Sequence, residues 1–164
     1  MKTRIWIIGL ILLASVIHAN ARLGETEAEL TARFGPPAGR SKHIIVAQGK
    51  IFEMGPTFNF RQKDWSISCD LVDGKCMRIS YSKQGDWSED QIKLVLSANN
   101  QGATWTETSK PAIADLQRTW KRSDGSIATW QLASGMTLVW QAYEVAKATV
   151  EERAKVAAKA KPKI

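Results

Sequence analysis

The sequence predicts an α+β protein built as two tandem helix-plus-antiparallel-meander repeats, each a helix followed by three to four strands. Two helix-capping boxes predict the helices, and two alternating stretches broken by turns ending in Gly predict the meanders. A near-constant spacing between equivalent positions predicts the tandem arrangement. The first helix begins at Thr26, which with Glu29 forms a capping box; Leu30 and Phe34 lie one turn apart, and Gly35 with Pro36 and Pro37 stops it. The second begins at Ser88 with Gln91 completing the box, Trp87 placed to staple onto Ile92, and an end near Asn99.

Between them Thr57 to Tyr81 alternates with period two, so that Phe58, Phe60, Trp65, Ile67, Cys69, Leu71, Met77, Ile79 and Tyr81 are expected on one face. A two-residue turn at Lys63-Asp64 sets Phe60 opposite Ile67. A three-residue loop Val72-Asp73-Gly74 pairs Leu71 with Lys75, Cys69 with Met77, Ile67 with Ile79 and Trp65 with Tyr81. From Thr119 to Tyr143 the loops Ser123-Asp124-Gly125 and Ala133-Ser134-Gly135 build a second meander. Trp120, Ala128 and Trp140 are expected in one row and Trp130 with Leu138 in the next, opposite a polar face of Thr119, Lys121, Thr129, Gln131, Thr137 and Gln141. Thr26 and Ser88, Leu30 and Ile92, and Phe34 and Leu96 are each 62 positions apart, and Gly74 and Gly135, and Met77 and Leu138, are 61 apart, which argues for an internal duplication. Short strands are expected near 43–47 and 103–107, with connections at 48–57 and 108–116.

The first 21 residues read as an export leader. Lys2 and Arg4 form its charged start, Ile5 to Ile17 its apolar run, and Ala19-Asn20-Ala21 the small-residue cleavage motif, so cleavage is expected between Ala21 and Arg22 and the mature protein in the periplasm or the medium. The apolar run stops well short of the roughly 20 residues that cross a bilayer. No Cys follows the cleavage site to take a lipid, and Lys2-Thr3-Arg4 is not a twin-Arg signal. The organisation expected is a leader (1–21), a first repeat (22–83), a second repeat (84–146) and a basic Ala/Lys-rich tail (147–164).

The 164 residues are 44% hydrophobic and 24% charged, a globular composition that excludes collagen, coiled coil and multi-pass membrane protein. Losing Lys2 and Arg4 leaves 21 basic residues against 16 acidic ones, and the net charge falls from +7 to +5. The tail alone holds six basic and two acidic residues, so the basic balance belongs to the tail and not to a nucleic-acid-binding body.

Chemistry-bearing residues are few. His43 is the single His after the leader, and no Gly-x-Ser-x-Gly turn accompanies it, so it is expected as a strand residue; a small hydrolase would need it in a cleft beside a nucleophile. One His and two Cys do not make a tetrahedral metal site, and no Gly-rich phosphate loop is present, so no catalytic residue, cofactor or metal is assigned. Cys69 and Cys76 are a candidate disulfide in an exported chain. The three-residue loop puts them on opposite faces, whereas a four-residue loop, Leu71 to Gly74, makes them partners.

At the first helix, Gly24, Thr26, Leu30, Phe34, Gly35 and Pro37 resemble the signature of the SmpA/OmlA family of small outer-membrane lipoproteins. The tandem helix-plus-sheet layout is similar to that of the beta-lactamase inhibitory protein family, whose sheet surface grips an enzyme. These resemblances imply an envelope role or enzyme inhibition, although the lipid-attachment Cys is absent.

The function expected is an exported, non-catalytic protein-interaction module of the envelope or secretome. Its candidate interaction residues are Trp105, the one Trp without a structural role, and Lys121, Thr129 and Gln131 on the polar face, together with the connections 48–57 and 100–117. The alternative is a module for cell-wall glycan or anionic lipid that uses Trp105 and the tail residues Lys155, Lys159 and Lys161. The tail carries a Thr149–Glu152 capping box and a Glu151–Lys155 pair, and at this length is expected to be solvated and fraying.

Overall fold

Thr26 accepts a hydrogen bond from the Glu29 backbone while the Glu29 carboxylate accepts one from the Thr26 backbone, and this closed box starts α1 (Glu27–Phe34). The computed structural model that contains it describes residues 22–110 and 114–159. The leader therefore lies outside the described residues. Leu30 and Phe34 form the buried stripe of α1, each worth about 1.5–3 kcal/mol on burial. Four antiparallel strands follow, β1 (Gly39–Ala47), β2 (Lys50–Gln62), β3 (Trp65–Val72) and β4 (Lys75–Lys83). Ser88 and Gln91 close the second capping box and start α2 (Glu89–Ala98). After it come β5 (Trp105–Glu107), β6 (Gln117–Arg122), β7 (Ile127–Gln131), β8 (Gly135–Val139) and the 19-residue helix α3 (Gln141–Lys159).

The strands form one eight-stranded sheet in the order β1-β2-β3-β4-β8-β7-β6-β5. This corrects the expectation of two tandem helix-plus-meander repeats. Strand β8 takes the free edge of β4, with Arg78, Ile79, Ser80 and Tyr81 opposite Val139, Leu138, Thr137 and Met136, so both strand groups belong to a single ladder. The strand lengths do not repeat either: β1 to β4 have 9, 13, 8 and 9 residues, β5 to β8 only 3, 6, 5 and 5. One core lies between the sheet and α1 and α2, shared by Leu30, Phe58, Ile67, Ile79, Val95, Trp120 and Leu138.

The registers divide by the type of turn. The Lys63-Asp64 turn sets Phe60 opposite Ile67 as expected, and the 123–125 loop sets Trp120 opposite Ala128. The β3–β4 turn is shorter than expected: Asp73 and Gly74 both take positive φ, 50° and 73°, as a two-residue hairpin of matching twist requires. Val72 therefore faces Lys75, Leu71 faces Cys76, Cys69 faces Ile79 and Ile67 faces Tyr81; Met77 lies on the other face, and a bulge there, opposite Asp70/Leu71, returns Ile79 and Tyr81 to the core face. In β7–β8, Trp130 meets Met136 and Ala128 meets Leu138. Trp140 leaves the expected row and packs against both cores, with its ring beside Gly24.

The tail differs from expectation in its first part: residues 147–154 continue a packed helix, 155–159 are helical and exposed, and 160–164 lie outside the described residues. Helix α3 runs through Thr149, whose hydroxyl donates to Val145 O (2.9 Å) in mid-helix and caps nothing. Tyr143, Ala146, Val150 and Ala154 recur at helical spacing; Tyr143 and Ala154 are buried, and Ala146 and Val150 pack with Tyr143, Met54, Val72 and Met77 on the sheet face away from α1 and α2. Sheet packing supplies the stability that an isolated Ala-Lys helix lacks.

Candidate functional site

The sheet face that α3 shares has two parts. Helix α3 packs on β1, β2 and β4. The remainder is a polar surface generated by period-two alternation, because every residue that sends a neighbour into the core sends the next one outward. Register partners line up there as an unbroken row across six strands: Asn59, Ser68, Ser80, Thr137, Thr129 and Thr119. Ser80 and Thr137 hydroxyls meet at 3.3 Å across the β4–β8 junction. Beside this row run Arg61 and Ser66, and Gln131 and Gln117, and on the other flank Ile127 and Lys121. A trough of about 390 Å³ opens on this face along Gly39, Asn59, Arg61, Ser68, Ser80 and Ser82.

Of the expected interaction residues, Lys121 and Gln131 are exposed on this face and Thr129 is half-buried in its central row. Gln141, expected with them, is instead the first residue of α3. Trp105 lies on the opposite side, packed against the core with the buried Arg122 guanidinium 5.4 Å from its ring centre, so it is not an open stacking platform. Lys155 and Lys159 are exposed on α3, Lys155 beside Glu152 at 3.4 Å, and Lys161 lies outside the described residues. The segment 48–57, expected as a connection, is mostly strand β2.

Where α3 meets the polar surface, a buried cluster joins five elements. His43 Nε2 is hydrogen-bonded to Tyr143 Oη at 2.8 Å, and His43 Nδ1 lies 3.5 Å from Asp70 Oδ2. The Thr57 hydroxyl donates to Asp70 Oδ1 (2.5 Å), Arg78 Nε donates to Asp70 Oδ2, and the Arg78 guanidinium sits 5.7 Å from the Tyr143 ring centre. A cavity of about 580 Å³ beside it is lined also by Lys42, Ser68 and Lys147. The sequence places His43 and Tyr143 a hundred residues apart and carries no local signal of their contact.

The arrangement has the order of a hydroxyl, an imidazole and a carboxylate, and it ties α3 to β1 and β3. Burial raises the Tyr143 phenol, which makes it a poor nucleophile, and Asp70 is already shared by Arg78 and Thr57. Burial lowers the His43 pKa, Asp70 opposes that shift and Arg78 adds to it. A depressed His pKa contributes stability that is complete above the unfolded value near 6.5 and is lost as pH falls through the folded value. After allowance for the slower intrinsic exchange in acid, the protection of backbone amides in α3 is expected to fall below about pH 6. Tyr143→Phe, which leaves His43 without its hydroxyl partner, is expected to loosen α3 at neutral pH by about 1–3 kcal/mol.

Cys69 and Cys76 are buried free thiols under α1. The two-residue turn pairs Cys76 with Leu71 and so brings both Cys to the same face, contrary to the opposite-face alternative, and burial together with the neighbouring Cys69 thiol pushes the Cys76 thiol well up. Among the described residues no cluster of three His, Cys, Asp or Glu side chains could hold a metal, and no helix is long and apolar enough to cross a membrane.

No protein-family model and no curated protein matches the chain. Among solved structures, a cysteine-rich secretory protein from Staphylococcus aureus subsp. aureus Mu50 is similar over 74% of this chain, with 8% sequence identity and a TM-score of 0.46. The chain spans 45% of that protein's length.

Proposed function

We propose that the chain is an exported, non-catalytic binding protein that holds a partner protein of the bacterial envelope or secretome on its polar sheet face, at the periplasmic or extracellular side. The observation that carries this reading is the row from Asn59 to Thr119. Short hydroxyl side chains on a rigid sheet lose little entropy when bound, and they offer donors and acceptors at the strand spacing. Export rests on the leader motif of residues 1–21. A glycan reading would favour an exposed aromatic platform, and Trp65, Trp87, Trp105, Trp120, Trp130 and Trp140 all pack against or within the core.

The test is capture from envelope and culture-supernatant extracts by residues 22–164, compared with Ser80→Arg/Thr129→Arg. The double variant places two long cations in the middle of the row. One protein retained at near-stoichiometric yield by the parent and at least about tenfold less by the variant, a loss of about 1.4 kcal/mol or more, supports the reading provided both forms melt alike. Equal retention by both forms, or capture of glycan or anionic lipid that Lys155→Ala/Lys159→Ala abolishes, overturns it.

A further inference from the structure

The first residues after the expected cleavage site are built into the core. Leu23 is fully buried, its N–H donates to the Asn99 side-chain oxygen (3.0 Å), and its carbonyl accepts from Gln101 Nε2. Gly24 N donates to Cys76 O and Cys76 N to Glu25 O, both at 2.7 Å, which adds this segment to the start of β4. Glu25 is buried, and its two carboxylate oxygens have separate duties. Oε1 receives Arg33 from α1, and Oε2 receives the backbone nitrogen of Arg22 at 3.0 Å.

The nitrogen that meets Oε2 is the one that leader cleavage would convert from an amide to an amine. Hydrolysis of the Ala21–Arg22 bond gives the hydroxyl of water to the Ala21 carbonyl carbon and its hydrogen to the Arg22 nitrogen, which takes a further proton at neutral pH. A hydrogen bond from a neutral amide to a carboxylate becomes an ion pair in which both partners carry charge. A cavity of about 690 Å³, lined by Arg22, Glu25, Glu29, Arg33, Gln101 and Trp140, opens beside this position and leaves the chain end a way to solvent.

We propose that Glu25 is a receptor for the α-ammonium of Arg22, so that leader removal creates an ion pair inside the fold and the processed chain is more stable than the unprocessed one. This inference rests on the export reading. The charged groups around the ammonium are Glu25, which precedes α1, Glu29 and Arg33 of α1, and the guanidinium of Arg22 itself, with the Cys76 thiol of β4 near Glu25. An ammonium that gains a carboxylate partner has its pKa raised above the 7.7–8.0 of an ordinary chain end, so its contribution is complete below that range and is lost as pH rises through the folded value.

The test compares residues 22–164 carrying a free Arg22 amine with the same chain acetylated there, which keeps the N–H donor and removes the charge. The free form is expected to melt about 2–4 °C higher at pH 6.5, the two forms to converge by pH 10, and Glu25→Gln to abolish the difference. Equal melting at both pH values overturns the proposal, as does a difference that survives in Glu25→Gln. Should Glu25→Gln not fold, the acetylation comparison across pH decides alone. N-terminal sequencing of the exported protein tests the export reading separately. A start other than Arg22 defeats that reading whatever the melting curves show.

Discussion

Gly135→Ala is expected to destabilise the protein by more than about 4 kcal/mol, placing it among the rare large single-site effects. Gly135 begins β8 at φ +87°, a conformation that costs an L side chain about 1–2 kcal/mol by itself. A Cβ there would lie 2.2 Å from Tyr81 O and 3.2 Å from the Ser82 Cα in β4. Both are backbone atoms, so no rotamer change relieves the clash. The strand must retreat, and with it the β4–β8 pairing that makes one sheet of two strand groups. Gly35→Ala is the control, because Gly35 has a similar φ of +80° and open space around it, and only the conformational cost should appear. Urea unfolding of both variants measures the difference. If Gly135→Ala costs no more than Gly35→Ala, the close approach of β8 to β4 is wrong.

Arg122→Met is expected to cost about 3–5 kcal/mol, the range for removing one partner of a buried charged network. Arg122 is 2% exposed. Its Nε and Nη2 donate to Asp124 at 2.9 and 2.6 Å, Nη1 to Asn99 O and Gln101 Oε1 at 2.5 and 3.2 Å, and Nη2 also to the Ser126 hydroxyl at 3.2 Å. This single side chain joins β6, the end of α2 and the β6–β7 loop. Methionine keeps much of the volume and supplies no donor, so the Asn99 carbonyl and Ser126 hydroxyl lose theirs. The variant should also change the acid limb of the stability curve. Arg122 holds the Asp124 carboxyl well below the usual range, burial opposes it, and the Ser126 backbone and hydroxyl add to the lowering. That contribution is complete above about pH 4 and is lost as pH falls. Between pH 4 and pH 2 the parent should therefore lose more stability than Arg122→Met, and parallel curves would refute the coupling.

Both capping boxes were legible because each is closed within four residues, by groups whose identity alone fixes the bond. The Phe60–Ile67 and Trp120–Ala128 pairs were legible because a turn of known length sets register on either side of it. The β3–β4 register was missed by one residue at Leu71 and by two beyond the bulge, since Val72-Asp73-Gly74 fits a three-residue loop as well as Asp73-Gly74 fits a two-residue one. The bulge that keeps Ile79 and Tyr81 inward has no residue signature of its own. The packing of residues 147–154 was not legible because the buried face of α3 is made largely of small residues, Ala146 and Ala154 beside Tyr143 and Val150, whose burial depends on a sheet assembled elsewhere.

The sequence by itself determined the starts of α1 and α2, the alternation that makes one face of each strand apolar and the next polar, and hence the Ser/Thr composition of the outer surface. These are consequences of dihedral preference and short-range hydrogen bonding. The tertiary structure alone decided that β8 joins β4, that α3 lies on one half of the polar side and leaves the other half open, and that His43 meets Tyr143. Each of these joins segments far apart in the chain, and the choice among apolar edges and faces of similar pattern is made by mutual burial, which local residue order does not encode.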